Sequence, residues 1–260
     1  MRRYFFKQII SMGDPIDPDL LVQKVSLDPN TFRFKTPCSI VISGPSQAGK
    51  STFLYSLVKF RNDVFTTRFY RIIYCLPERK LIKKKDFIDK LKFECSTIEI
   101  IGGLPSVSQL NLDVNTLPIL LLVDDQMTQI LKDPQMLELM TLDGHSDNIT
   151  FCFTMQNYYE NSKFGKTMIR NCHYRVFFYN SIEKSYLSTI STQITNCPMF
   201  FEANFQFLFK RFPNDGSHYL VVDGQFRSKG RDFWCRSQIF PEEKGGDINP
   251  IVFYPNMCRK

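Results

Sequence analysis

Residues 44–51 read Gly-Pro-Ser-Gln-Ala-Gly-Lys-Ser, and they follow directly on an apolar run, CSIVIS at 38–43. This is a complete G-x-x-x-x-G-K-[ST] phosphate-binding loop in the context it needs: a buried strand before it and a helix-like stretch, TFLYSLVKF, after it. A strand end and a helix start then point backbone N–H groups into one hollow, where an anion is held. Gly44 and Gly49 let the backbone wrap the β-phosphate without a Cβ in the way. Lys50 would reach the β- and γ-phosphates, and the Ser51 hydroxyl would take one position on a magnesium ion. The nucleotide-binding candidates are therefore Gly44, Pro45, Ser46, Gln47, Ala48, Gly49, Lys50, Ser51 and Thr52, and the expected cofactors are ATP and Mg2+.

Outward from the loop, short apolar runs recur at 70–75 (YRIIYC), 117–123 (LPILLLV), 149–155 (ITFCFTM) and 174–179 (YRVFFY). They are continuous rather than alternating, the signature of parallel strands covered on both faces. The segments between them are long enough for right-handed crossovers, which predicts an α/β fold, a three-layer αβα sandwich. Residues 1–36, with Asp14 before Pro15, Asp17 before Pro18 and Asp28 before Pro29, read as a lead-in segment. Residues 37–200 form the expected core. Residues 201–260, a helix-like FFEANFQFLFKRF followed by HYLVVD and QFRSKGRDFWCRSQIF, read as a helix plus an antiparallel β extension packed on the core.

The run at 117–123 ends in two carboxylates, Asp124 and Asp125. Beside the loop strand, that tip lies next to a bound γ-phosphate. There Asp124 can hold magnesium through water, and Asp125 can orient or deprotonate the attacking water. A plainer reading makes Asp125 the N-cap of a helix starting at Gln126. A second acid favours water-activating hydrolases over small-molecule phosphotransferases, which keep water out. The next run ends at Gln156, whose amide could report the γ-phosphate if its strand lies between the other two.

The 260 residues are 43% hydrophobic, enough for a substantial core as a single domain, and carry a net charge of +7, which favours a polyanionic partner without requiring one. Eight cysteines show no C-x-x-C spacing, so neither a zinc site nor a disulfide framework is expected, and they read as reduced core thiols of an intracellular protein. The N-terminal apolar stretch is broken by Lys7 and Gln8, and no run is long enough to span a membrane. The three histidines have no metal-ligand spacing and read as structural.

Taken together, GPSQAGKSTFL, LLLVDDQM, the stretch 145–180 (HSDNITFCFTMQNYYENSKFGKTMIRNCHYRVFFYN) and the late HYLVVDG and RSQIFPEE resemble the FtsK/HerA-type DNA-packaging ATPases of double-jelly-roll viruses, most closely those of Maverick/Polinton elements and adintoviruses. The resemblance runs from about residue 37 to about 243. It is most specific at His145, Asn148, Gln156, Asn157, Lys163, Phe164, Asn171, His173, Tyr174, Phe178 and Asn180. It implies a RecA-like (ASCE) core with strand order 5-1-4-3-2 and a homo-oligomeric ring of five or six subunits. It also implies ATP-driven translocation of double-stranded DNA into a preformed capsid, at a viral assembly site or in a host nucleus. The chain departs from the pattern in carrying Asp124-Asp125 where Asp-Glu is usual, in having Met155 before Gln156 with the threonine displaced to Thr154, and in being less basic after His145. In a ring, a cation from the neighbouring subunit is expected to complete the site. Lys166, Arg170 and Arg175 are candidates, Arg170 first because a guanidinium binds two phosphate oxygens at once.

DNA contact would be made by backbone-neutralising cations without base readout. The basic run at 80–85 is one candidate and a solvated helix face is its plainer reading. Arg227, Lys229, Arg231 and Arg236, with Phe226, Phe233 and Trp234, form a second group, although Trp234 reads better as core. Two other functions stay open from sequence: a small-molecule or nucleotide kinase, and a nucleotide-gated virion assembly protein that hydrolyses slowly.

Overall fold

The computed structural model describes residues 5–8, 22–25, 32–110, 117–139, 148–156, 169–181, 184–213, 218–224, 235–244 and 250–253. The chain divides into two compact units, one of residues 33–176 and one of residues 1–32 with 177–260. In chain order the strands are β1 (Phe5–Gln8), β2 (Val22–Val25), β3 (Ser39–Ser43), β4 (Arg71–Leu76), β5 (Glu99–Gly102), β6 (Ile119–Val123), β7 (Ile149–Met155), β8 (Tyr174–Phe178), β9 (Tyr219–Asp223), β10 (Cys235–Ser237) and β11 (Ile251–Phe253). The helices used below are α1 (Lys50–Lys59), α2 (Arg61–Val64), α3 (Glu78–Leu81), α4 (Lys85–Glu94), α5 (Met127–Ile130), α6 (Pro134–Glu138), α7 (Lys184–Thr195) and α8 (Phe200–Arg211).

The 33–176 unit is built on a sheet in the order β8-β3-β7-β6-β4-β5. Pairings β3–β7, β7–β6, β6–β4 and β4–β5 are all parallel. Taken over the five strands read from sequence, this is the expected 5-1-4-3-2 order, and the αβα reading holds. Strands β3, β6 and β7 are buried at every position, as mainly apolar runs without alternation require. Period two divides their side chains between two helical layers. Val41, Ile73, Leu121 and Phe153 meet Ile130 of α5 and Met136 of α6 on one face. On the other, Tyr74 of β4 meets Phe87 of α4 edge-on at 5.8 Å. Helix α1 buries Phe53, Leu54, Leu57 and Val58. Each such buried side chain contributes about 1.5–3 kcal/mol of transfer free energy.

Strand β5 has no counterpart among the apolar runs of the sequence. It is four residues long, only partly buried, and begins at Glu99, whose carboxylate takes a bidentate fork from Arg71 at 2.5 and 2.7 Å. That fork holds Glu99 below the usual carboxylate range through its hydrogen bonds to Arg71.

In the other unit, β1 and β2 pair antiparallel, and β9, β10 and β11 form the antiparallel C-terminal extension. Helix α8 is the helix read at FFEANFQFLFKRF; Phe201 packs on Phe177 at 5.5 Å and is fully buried. Arg236 is 1% exposed, with its guanidinium 3.8 Å from Asp223, so it does not face solvent as a DNA-contacting residue must. Its sequence companions Phe226, Arg227, Lys229, Arg231, Phe233 and Trp234 lie outside the described residues, as do His145, Asn157, Lys163, Phe164 and Lys166. Cys38, Cys75, Cys95, Cys152, Cys172, Cys197 and Cys235 are buried, and there is no disulfide among the described residues. Burial pushes Cys75 and Cys172 up to about 12, so both stay thiols. Among the described residues, no helix is long and apolar enough to cross a membrane.

Candidate functional site

The sheet register decides which side chains can meet at the carboxyl ends of the parallel strands. Ser43 lies opposite Met155, and Val123 opposite Phe153. The residues that follow, Gly44, Asp124 and Gln156, therefore leave adjacent strand ends on one edge of the sheet. Such ends, at a switch point of strand order, are where open α/β sheets bind ligands. Gly44 N–H donates to Met155 O at 3.3 Å, which stitches the loop to the glutamine strand at its first residue.

Gly49 sits at φ +100°, where a Cβ would be strained, immediately before helix α1 begins at Lys50. Gln47 also takes a positive φ, +65°. The Lys50 ammonium donates to the carbonyls of Gly44 and Pro45, both at 2.6 Å. Burial lowers its pKa, with the charges of Asp124 and Asp125 opposing and that of Lys80 reinforcing the shift. Facing it is Asp124, 2% exposed, whose Oδ2 accepts from Ser51 Oγ at 2.8 Å and from Tyr74 Oη at 3.1 Å. Thr154 Oγ1 donates to Asp124 Oδ1 at 3.1 Å. Burial alone would raise this carboxyl. The Lys84 ammonium, together with the Ser51 and Thr154 hydroxyls, outweighs it and holds Asp124 below the usual range, so it is ionised at neutral pH.

Asp125 has φ +57°, the left-handed region that Asp tolerates better than most residues. Its N–H donates to Thr154 Oγ1 at 2.8 Å, so a single buried hydroxyl bridges both acids. Asp125 is not the N-cap of the next helix. That helix, α5, starts at Met127 with Gln126 at its cap position, and the Asp125 carboxylate instead accepts from Lys80. Gln126 is fully buried and its amide donates to Gly103 O at 3.1 Å, tying the acid tip to the loop after β5. Gln156 is exposed and lines a cavity of about 220 Å³ with Lys50, Ser51, Lys80, Asp124 and Asp125. A second cavity, of about 800 Å³, shares Asp125, Thr154 and Gln156 and opens toward Arg79 and Gln129.

The loop, the acid pair and Gln156 are therefore brought together around one hollow. Arg170 is exposed, and the Arg175 guanidinium donates to the carbonyls of Ile169 and Arg170 at 3.4 and 3.1 Å. His173 is structural: its Nδ1 accepts from Ser39 N–H at 3.0 Å. Sequence reasoning missed Lys80 and Lys84 as site residues. The basic run is neither a uniform DNA face nor a uniform solvated one. Lys83 and Lys85 are exposed, whereas Lys80 bonds Asp125, and Lys84 bonds Asp124 Oδ2 at 2.9 Å and Ser51 Oγ at 3.1 Å.

The donor set fits a hard divalent cation. The two oxygens assigned to magnesium, Ser51 Oγ and Asp124 Oδ2, already share one positive group, the Lys84 ammonium. Among the described residues there is no cluster of three or more His, Cys, Asp or Glu able to hold a metal. One carboxylate and one hydroxyl are a set that magnesium would take, with phosphate oxygens completing it.

The strand order, the loop geometry and the acid tip together define a P-loop nucleotide-binding fold of RecA-like type. No family model matches the chain, and no curated protein matches it. Among solved structures it is similar to B204, the DNA-packaging ATPase from Sulfolobus Turreted Icosahedral Virus, at 13% identity and TM-score 0.41 over 72% of this chain and 92% of that one. It is also similar to the genome packaging NTPase B204 from Sulfolobus turreted icosahedral virus 2 in complex with ATP-gammaS, at 12% identity and TM-score 0.41 over 76% and 94%. A third similarity is to the flagellar accessory protein FlaH from Methanocaldococcus jannaschii, at 13% identity and TM-score 0.43 over 83% and 88%.

Proposed function

We propose that the chain is an ATP hydrolase that drives double-stranded DNA translocation, one subunit of a homo-oligomeric ring of five or six that packages a viral or virus-like genome into a preformed capsid at an intracellular assembly site. The observation that carries the hydrolase reading is the Thr154 bridge: one buried hydroxyl fixes Asp124 against Ser51 and Asp125 beside Gln156, around the Lys50 loop. Asp124 and Ser51 would hold magnesium, which neutralises charge on the β- and γ-phosphate oxygens when bound. The loop N–H groups cradle the β-phosphate. Lys50 exchanges its two carbonyl partners for phosphate oxygens. Asp125 accepts a proton from the attacking water as its oxygen bonds to the γ-phosphorus, while the bridging oxygen leaves with its electron pair on ADP. Gln156 donates its amide to a γ-phosphate oxygen and reports its loss. DNA translocation is supported by the resemblance over residues 145–180 and by the +7 net charge, which suits a sequence-independent grip on phosphates.

The 800 Å³ cavity favours a second reading, a small-molecule kinase, because it gives a second substrate room beside Asp125. The test is the fate of the phosphoryl group and its dependence on Asp125. For a hydrolase, inorganic phosphate accumulates with ATP as the sole substrate, and Asp125→Asn lowers turnover by about 10²–10⁴-fold with nucleotide affinity retained. Unchanged turnover in Asp125→Asn supports a slow nucleotide-gated assembly protein, and turnover that needs an added acceptor supports the kinase.

A further inference from the structure

Lys80 and Lys84 are one helical turn apart, joined by Lys84 N–H to Lys80 O at 2.9 Å, so they project from one side of the segment that follows β4. Ile82, between them, is 90% exposed. Each lysine is directed onto one carboxylate of the acid pair, Lys80 onto Asp125 and Lys84 onto Asp124. Lys50 and Lys80 line the 220 Å³ hollow together with both carboxylates, and Lys84 bonds Asp124 from outside that lining, so three ammonium groups serve two carboxylates. That positive surplus suits a polyanion. Lys80 itself lines the hollow together with phosphate-loop residues, and its side chain is 29% exposed, so an entering ligand can reach it.

The acid pair alone does not need two lysines. Asp124 has three hydroxyl donors besides Lys84. Asp125, if it is to take a proton from water, is hindered by a cation bonded to its carboxylate. Both arrangements make chemical sense if the lysines change partners when phosphate arrives. A γ-phosphate bears more charge than a carboxylate and offers three oxygens. It would draw Lys80 off Asp125, freeing the base only when a triphosphate is present.

We propose that Lys80 is a same-chain ligand of the γ-phosphate, held on Asp125 until a nucleoside triphosphate displaces it. This rests on the nucleotide-hydrolase reading of the site. It supplies a charge-stabilising cation from the chain's own β4–α4 segment, in addition to any cation from a neighbouring subunit. It also makes the ion pair a trigger: the base is engaged without triphosphate and released with it.

The test is calorimetric titration of wild type, Lys80→Met and Lys80→Arg with ATPγS and with ADP, each with magnesium. Lys80→Met should lower the ratio of ATPγS to ADP affinity about tenfold, the loss of one charge-assisted contact, and Lys80→Arg should keep the ratio near wild type. A Lys80 that only pairs with Asp125 would change the melting temperature and leave the ratio untouched, and that result overturns the proposal. Lys50→Ala separates the two levels of the argument. Wild type that binds neither nucleotide, or binds both as well as Lys50→Ala does, removes the nucleotide site and the proposal with it. Loss of binding in Lys50→Ala alongside an unchanged ratio in Lys80→Met removes the proposal only.

Discussion

A single hydroxyl carries much of the geometry at the residue scale. Thr154 Oγ1 donates to Asp124 and accepts from the backbone of Asp125, whose left-handed conformation costs of the order of 1–3 kcal/mol and needs such a restraint. Thr154→Val keeps the shape and removes both bonds, leaving the Asp125 N–H without its partner. The expected outcome is a loss of about 1–3 kcal/mol of stability in thermal or denaturant melts, with turnover falling more than nucleotide affinity. Thr154 was visible in the sequence only as a sensor threonine one position out of place, and its bridging role needed the β6–β7 register. The loop and the acid pair were legible because their chemistry tolerates few alternatives: Gly suits φ +100° at Gly49 as other residues do not, and the hard cation proposed for the site would take an oxygen ligand such as Asp124. Lys80 and Lys84 were not legible, because a run of lysines reads the same on a solvated helix face as over an acid pair.

At the scale of elements, the position of Lys80 depends on how α3 sits against β5. A Cβ on Gly102 would come within 2.8 Å of Leu81 Cδ1 and 2.9 Å of Glu78 Cγ, so the glycine lets α3 approach the strand. Gly102→Ala is expected to push α3 outward, at a cost of about 1–3 kcal/mol in a melt, and to weaken the hold of Lys80 on Asp125. A variant with wild-type stability and wild-type nucleotide affinity would show that the approach is not needed. Strands β3, β4, β6, β7 and β8 could be read directly, since burial on both faces leaves a largely apolar run. Strand β5 could not. It is short, half-buried, and held by the Arg71–Glu99 fork, which in sequence is just two charges 28 residues apart.

For the whole molecule, what the residues and elements share is convergence: three strand tips and one basic turn meet where a terminal phosphoryl group would lie. This arrangement suits hydrolysis coupled to movement, since Gln156, Asp125 and Lys80 would each respond to the presence of that group. The proposed grip on DNA would be electrostatic and indifferent to sequence, and so would weaken as salt displaces the counterion contribution. The deciding measurement is steady-state ATP hydrolysis by the wild-type chain and Lys50→Ala, with and without double-stranded DNA, at several salt concentrations. A motor gives turnover that duplex DNA stimulates, that falls back toward the DNA-free rate as salt rises, and that disappears in Lys50→Ala. Turnover that is the same with and without DNA at every salt concentration contradicts the motor.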